Sequence, residues 1–126
     1  MTVWCDRTLV EGDYVGLSLS EKEFHSALKS LGIKKRDWPQ WVNTDANATC
    51  HHLIGKGGKR ANIVCVRGWE GKAESQIIAL LVHEAVHLKQ DYMRYIGERN
   101  PSDEFEAYVV QNLLQGLYQA FIDARK

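Results

Sequence analysis

The chain has no excess of charge of either sign. Sixteen Lys and Arg residues balance sixteen Asp and Glu residues over 126 positions, so it carries no electrostatic footprint for nucleic acid or an anionic membrane. It lacks long apolar runs as well, and nothing approaches the roughly 20 residues of a membrane span. The first residues, Met-Thr-Val-Trp-Cys-Asp-Arg, do not follow the basic and then apolar layout of a signal peptide. Cysteine is scarce: there are three, an odd number without framework spacing, which suits a reducing cytoplasm better than a disulfide scaffold. Repeats, linkers and low-complexity segments are missing too. What remains reads as one domain over 1–126, long enough for a real core and too short for two.

The most informative stretch is Leu80 to Leu88, Leu-Leu-Val-His-Glu-Ala-Val-His-Leu. It contains His83-Glu84-Ala85-Val86-His87, the H-E-x-x-H pattern of zinc hydrolases. Residues four apart share a helix face, so His83 and His87 can aim at one point. Glu84 lies about 100° around the helix from His83, placed for a water beside the metal rather than for the metal itself. Chance alone produces the pattern in a chain this long about a few times in a thousand. Val82, Ala85, Val86 and Leu88 surround the polar trio and predict a buried helix, in which His and Glu need partners that a metal would supply. The competing reading is an exposed helix with solvated histidines.

Upstream, Val3–Cys5 and Tyr14–Leu19 read as short strands with a turn at Glu11-Gly12-Asp13. Ser20 and Glu23 form a capping box for a helix whose apolar stripe is Phe24, Ala27, Leu28 and Leu31, with Gly32 as its stop. His25 reads as a plain surface or boundary residue. Trp38 and Trp41 either line a cleft or cover a small core, and the second is the commoner use. Thr49–Ile54 and Ala61–Arg67 read as a hairpin around the glycine-rich 55–60 loop. That loop lacks the Gly-Lys-Ser/Thr ending and the helix of a phosphate cradle. A hairpin centred on it sets Cys50 opposite Cys65, with reduced packing expected rather than a bridge. His51 and His52 must point to opposite faces, so at most one looks toward the motif.

A long helix from about Lys72 to Ile96 carries the motif and stops at Gly97. Asn100 as N-cap and Pro101 as first helical residue then announce a last helix to about Ala124. Catalytic zinc usually takes three protein ligands, and Asp103, Glu104 and Glu106 are the candidates. Glu106 shares its face with Val109, Val110, Leu113 and Leu117, whereas Glu104 lies with Gln111 and Gln115 on a wet face. A carboxylate on the packing side needs a cation, which favours Glu106. The plainer alternative puts Glu106 at the edge of the apolar stripe.

His83–His87 followed by Glu106-Ala107 on a second helix resembles the gluzincin group of zinc metallopeptidases. The fuller stretch, through Pro101-Ser102-Asp103-Glu104-Phe105-Glu106-Ala107-Tyr108, is similar to small zincin-like proteins of tailed bacteriophages and prophages. The Glu-Ala pair also resembles phage- and mobile-element-associated peptidases that cleave repressors. The likeness covers about 61–117. It implies an α+β fold, a minimal zincin-like domain in which a small antiparallel sheet packs on the H-E-x-x-H helix and a C-terminal helix follows. It further implies zinc held by His83, His87 and Glu106, Glu84 as general base, and strand 61–67 as the edge along which a peptide substrate lies. Phe105 stands where an asparagine would precede the glutamate, and Val110 stands where an aspartate often orients a ligand. With no third histidine after an intervening glycine, the metzincin pattern is excluded.

The expected activity is peptide hydrolysis by zinc-activated water, in the bacterial host cytoplasm if the chain is phage-encoded. Tyr92, Tyr95, Tyr108, His51 and His52 are the candidates for steadying the oxyanion, with backbone carbonyls or Gln111 as possible partners of the ligands. Two alternatives stand beside it. One is a catalytically inactive, zinc-stabilised binding or virion-associated module, and the other is a metal-free, hydrogen-bonded cluster.

Overall fold

Ser20 starts the first helix as its spacing predicts. Its hydroxyl accepts the Glu23 backbone N–H at 3.2 Å, and the Glu23 carboxylate accepts the Leu19 N–H at 3.0 Å. The entry into the helix is therefore held by its own side chains. Helix α1 runs Glu21–Ser30 and buries Phe24, Ala27 and Leu28, after which Gly32 turns the chain with a φ of 76°.

The computed structural model describes residues 2–5 and 13–126. Around α1 lie strands β1 (Val3–Trp4), β2 (Asp13–Ser18), β3 (Ala48–Ile54) and β4 (Arg60–Val66), then helices α2 (Glu74–Tyr95) and α3 (Asp103–Ala124). The turn expected at Glu11-Gly12-Asp13 falls outside the described residues except for Asp13, where β2 begins. The fold is α+β. Among the described residues no helix is long and apolar enough to cross a membrane.

The sheet order is β1-β2-β4-β3. The outer pairs are antiparallel, but β2 and β4 run parallel, so the sheet is mixed rather than wholly antiparallel as expected. Parallel neighbours require a crossover, which α1 and the segment behind it supply before the β3–β4 hairpin returns the chain to the sheet. β4 is central: every residue from Ala61 to Val66 is at most 3 % exposed. It therefore cannot be the open edge proposed for strand 61–67. That edge belongs to β3.

Each face of the sheet has its own core. Val15, Leu17, Val64 and Val66 meet Leu81 and Leu88 of α2 and Val109, Leu113 and Leu117 of α3. Ile63 and Cys65 face the other way, onto Phe24, Leu28 and Val42, with Trp38 and Trp41 packed at the border. The two tryptophans thus cover core, and Trp38 satisfies its indole N–H on the Ile33 carbonyl at 2.9 Å. Burying a side chain such as Phe24 or Leu117 contributes about 1.5–3 kcal/mol.

The hairpin register differs by one residue from a hairpin centred on the loop. Cys50 pairs with Val64 and Thr49 with Cys65, so the two thiols fall on opposite faces and stay unbridged. Burial pushes both thiols up. At the C-terminal end, Ser102 rather than Asn100 caps α3, its hydroxyl accepting the Phe105 N–H at 3.3 Å. Asn100 and Pro101 remain in the connection.

Candidate metal centre

Helix α2 turns Ile77, Leu81, Glu84, Ala85 and Leu88 inward. His83 and His87 lie on its flank and are exposed, while Glu84 is only 4 % exposed. The helix is therefore less buried around the motif than its apolar neighbours suggested, with Val82 itself 37 % exposed. The four-residue spacing does bring the imidazoles together, and their Nε2 atoms lie 3.1 Å apart. Two nitrogens on a tetrahedral zinc, each 2.0–2.1 Å away, are separated by about 3.3 Å. The observed contact is a hydrogen bond between the two rings, and its length is close to that separation.

His87 is oriented from behind. Its Nδ1–H donates to Gln90 Oε1 at 3.1 Å, which leaves the lone pair on Nε2, the form a metal ligand needs. Gln90 thus takes the part that a backbone carbonyl or Gln111 was expected to play for this residue. Glu84 sits beside the pair. Burial pushes its carboxyl above the ordinary carboxylate range, while His83, His87 and His52 pull it back down.

Across from α2, strand alternation separates the two adjacent histidines of β3. His51 faces α1, stacked on Phe24 at 4.6 Å and donating Nε2–H to the Trp41 carbonyl at 2.8 Å. Burial lowers its pKa, against the raising effect of the Trp41 bond. His52 faces α2, and its Nδ1–H donates to Asn62 Oδ1 at 2.7 Å, directly across the ladder on β4. Asp91 Oδ2 lies 3.6 Å from the same nitrogen and accepts from Arg60 at 2.7 Å. Arg60 also stacks 3.9 Å over the Tyr95 ring.

Of the five oxyanion candidates, His52 is the one on the α2-facing side of β3, 3.6 Å from Asp91 of that helix. His51 is committed to the other core and Tyr95 to Arg60, while Tyr108 is 57 % exposed on α3 and Tyr92 packs against the core. Arg60, Asn62, Gln90 and Asp91 were not foreseen. Signals pointed to two of the four: Asp91 continues the His83, His87 spacing by four, and Asn62 is a lone polar residue inside an apolar strand.

Glu106 is placed elsewhere. Its Oε2 pairs with Lys89 Nζ at 3.1 Å, and Lys89 lies about 200° around α2 from His87. The structure thus brings His83, His87 and Glu84 together and leaves Glu106 on a different flank. Asp103 and Glu104 are exposed. Among the described residues, no group of three or more His, Cys, Asp and Glu side chains is arranged to hold a metal ion. The two histidines are close enough to share an ion, and among the described residues no third protein ligand is assembled with them.

No family model matches the chain, and no curated protein or solved structure matches it either.

Proposed function

We propose that the protein is a zinc-dependent peptidase working at the flank of α2 that faces β3. The observation carrying this reading is the 3.1 Å approach of the His83 and His87 Nε2 atoms beside a buried carboxylate, Glu84. His83 and His87 would hold the ion. Glu106 would join as third ligand by exchanging Lys89 for it, a demand that can be tested directly. Zinc, when bound, supplies the Lewis acidity that makes water a nucleophile near neutral pH.

The chain's own residues do the rest. Glu84 takes the proton of the attacking water and passes it to the departing amine. Its raised carboxyl suits both halves of that task, since a poised acid–base group works best near the operating pH. His52, held at Nδ1 by Asn62 with Asp91 3.6 Å away, would serve the charge that develops on the peptide carbonyl from Nε2 in its doubly protonated form, in which both ring nitrogens donate. The peptide itself would lie along β3, the outer strand.

A zinc-stabilised binding module that cleaves nothing is the second reading. It draws on the Lys89–Glu106 pair, since withholding Glu106 leaves the catalytic set incomplete while β3 still offers a docking edge. Zinc content and cleavage of a mixed peptide library, measured on wild type and Glu84→Gln, separate the two. The peptidase reading expects both proteins to bind zinc and the variant to lose about 10²-fold or more of its activity. Protein that stays metal-free with stoichiometric zinc sinks both readings, and equal cleavage by both proteins removes Glu84 as the base.

A further inference from the structure

The outer edge of β3 is the feature of the fold that its own packing leaves unused. Seven residues long, it extends about 23 Å and, among the described residues, pairs only on its inner side, with β4. Proteins usually blunt such an edge by shortening it, covering it or bending it away. Here its second half opens into a surface groove of about 700 Å³, within the roughly 300–1,000 Å³ range of ligand clefts. His52, Leu53 and Ile54 all line it. Successive side chains point to opposite faces, so all three can share one groove only where it runs along the strand's open edge. Ile54 is 68 % exposed there, an apolar residue left uncovered on an edge strand.

The opposite wall is the segment that follows α1, and a backbone bond ties it to the loop at the end of β3. Lys56 N–H donates to the Leu31 carbonyl at 2.8 Å. This approach needs Gly55, because a Cβ there would stand 2.8 Å from the Leu31 oxygen. The pinned segment then presents Lys34 and Arg36, and Lys56 closes the end. All three are exposed, and none has an ion-pair partner among the described residues. Asp37 is the single acid in the lining. In a chain of zero formal net charge, this is a local concentration of cations around one strand edge.

The groove also leads somewhere. His52 lines it and lies 3.6 Å from Asp91 of α2, which stands one helical turn beyond His87.

We propose that this groove takes an extended acidic peptide, added as a strand to the outer edge of β3, with its carboxylates held by Lys34, Arg36 and Lys56. Main-chain hydrogen bonds give such a complex its affinity, and side-chain chemistry along the edge gives it selectivity. Arg36 can grip a carboxylate through two parallel bonds, whereas the lysines act as point charges. Exposed pairs are individually weak and screened by salt, so the preference comes from several acting together. A nucleic-acid backbone would satisfy the cations but not the row of peptide donors and acceptors on the strand. The inference deepens the peptidase reading by naming its substrate class, and it rests on that reading only for what happens after binding.

The test uses the full chain and three short labelled peptides that alternate valine with glutamate, glutamine or lysine. Binding is read by fluorescence anisotropy, and the same samples are searched for cleavage by mass spectrometry. The glutamate peptide should bind at least about tenfold more tightly than the glutamine peptide, with the difference shrinking in salt. A Lys34→Glu, Arg36→Glu, Lys56→Glu variant should lose that preference and gain one for the lysine peptide. Lys22→Glu, Lys29→Glu on exposed α1 positions should leave it unchanged. Melting curves check that every variant folds. Equal binding of the glutamate and glutamine peptides overturns the proposal, as does equal loss in the α1 control or tighter binding of a single-stranded oligonucleotide through the same three residues. Acidic peptides that bind and are never cut leave the groove standing and remove the peptidase. Cleavage without acidic preference does the reverse.

Discussion

Lys89 on α2 holds Glu106 on α3, with 3.1 Å between Nζ and Oε2. The carboxylate that helical phase selected as needing a cation therefore has one, supplied by a lysine. If zinc draws Glu106 away, it must compete with that ammonium. Glu106→Gln is expected to weaken zinc binding by at least about tenfold, and Lys89→Met to strengthen it, while Glu104→Gln and Asp103→Asn change nothing. A chelator competition titration reads all four. Unchanged affinity in Glu106→Gln would show that zinc is held without α3.

His52 and Asn62 form a second test of the site. His52→Ala should lower kcat by about 10²-fold with zinc content intact, as removal of one oxyanion donor typically does. Asn62→Leu should cost less, because the imidazole remains and only its tether is lost. The discriminating measurement is kcat against KM for both variants. A loss confined to KM would move His52 from the developing charge to simple substrate binding.

His51 predicts how stability depends on acid. Its folded pKa is lowered from 6.5, chiefly by burial, so the unfolded chain binds the proton first as pH falls. The sign follows from linkage: stability rises with pH wherever the unfolded state holds more protons. His51 therefore costs nothing above about pH 7 and destabilises progressively as pH drops through 6.5 toward its folded value. Urea midpoints at pH 7.5 and 5.5 should differ more for wild type than for His51→Phe, which keeps the stack on Phe24. Parallel pH profiles for the two proteins would remove His51 as the source.

Leu117 tests the packing of the last helix. It is fully buried, on the side of α3 that carries Val109 and Leu113. Leu117→Ala should cost about 2–5 kcal/mol in urea unfolding, against a negligible effect for Gln115→Ala on the exposed face. A cost below about 1 kcal/mol at Leu117 would mean that α3 is loosely docked.

What the amino-acid order decided by itself is local. Ser20 and Glu23 cap α1 because a hydroxyl and a carboxylate at that spacing reach the nearby backbone whatever the rest of the chain does. His83 and His87 converge because four residues make about one helical turn. His51 and His52 part because a strand alternates. The stripe of Val109, Leu113 and Leu117 packs inward because a helix must bury its apolar side. Strand 61–67, expected as an edge, is central in the sheet order β1-β2-β4-β3; the signal for that was its run of apolar residues, Asn62 excepted, which fits a strand covered on both faces.

The remainder depended on contacts between residues far apart in the chain, which no local spacing encodes. The parallel pairing of β2 with β4 follows from how the crossover packs, and the Cys50–Val64 register turns on a single residue in the loop. Asn62 meets His52, and Asp91 meets Arg60, only because β3, β4 and α2 are stacked together. Helical phase could say that Glu106 needed a cation, but not which one. Lys89 reached it first, because the docking of α3 on α2 sets those two side chains against each other on the flank away from the histidines.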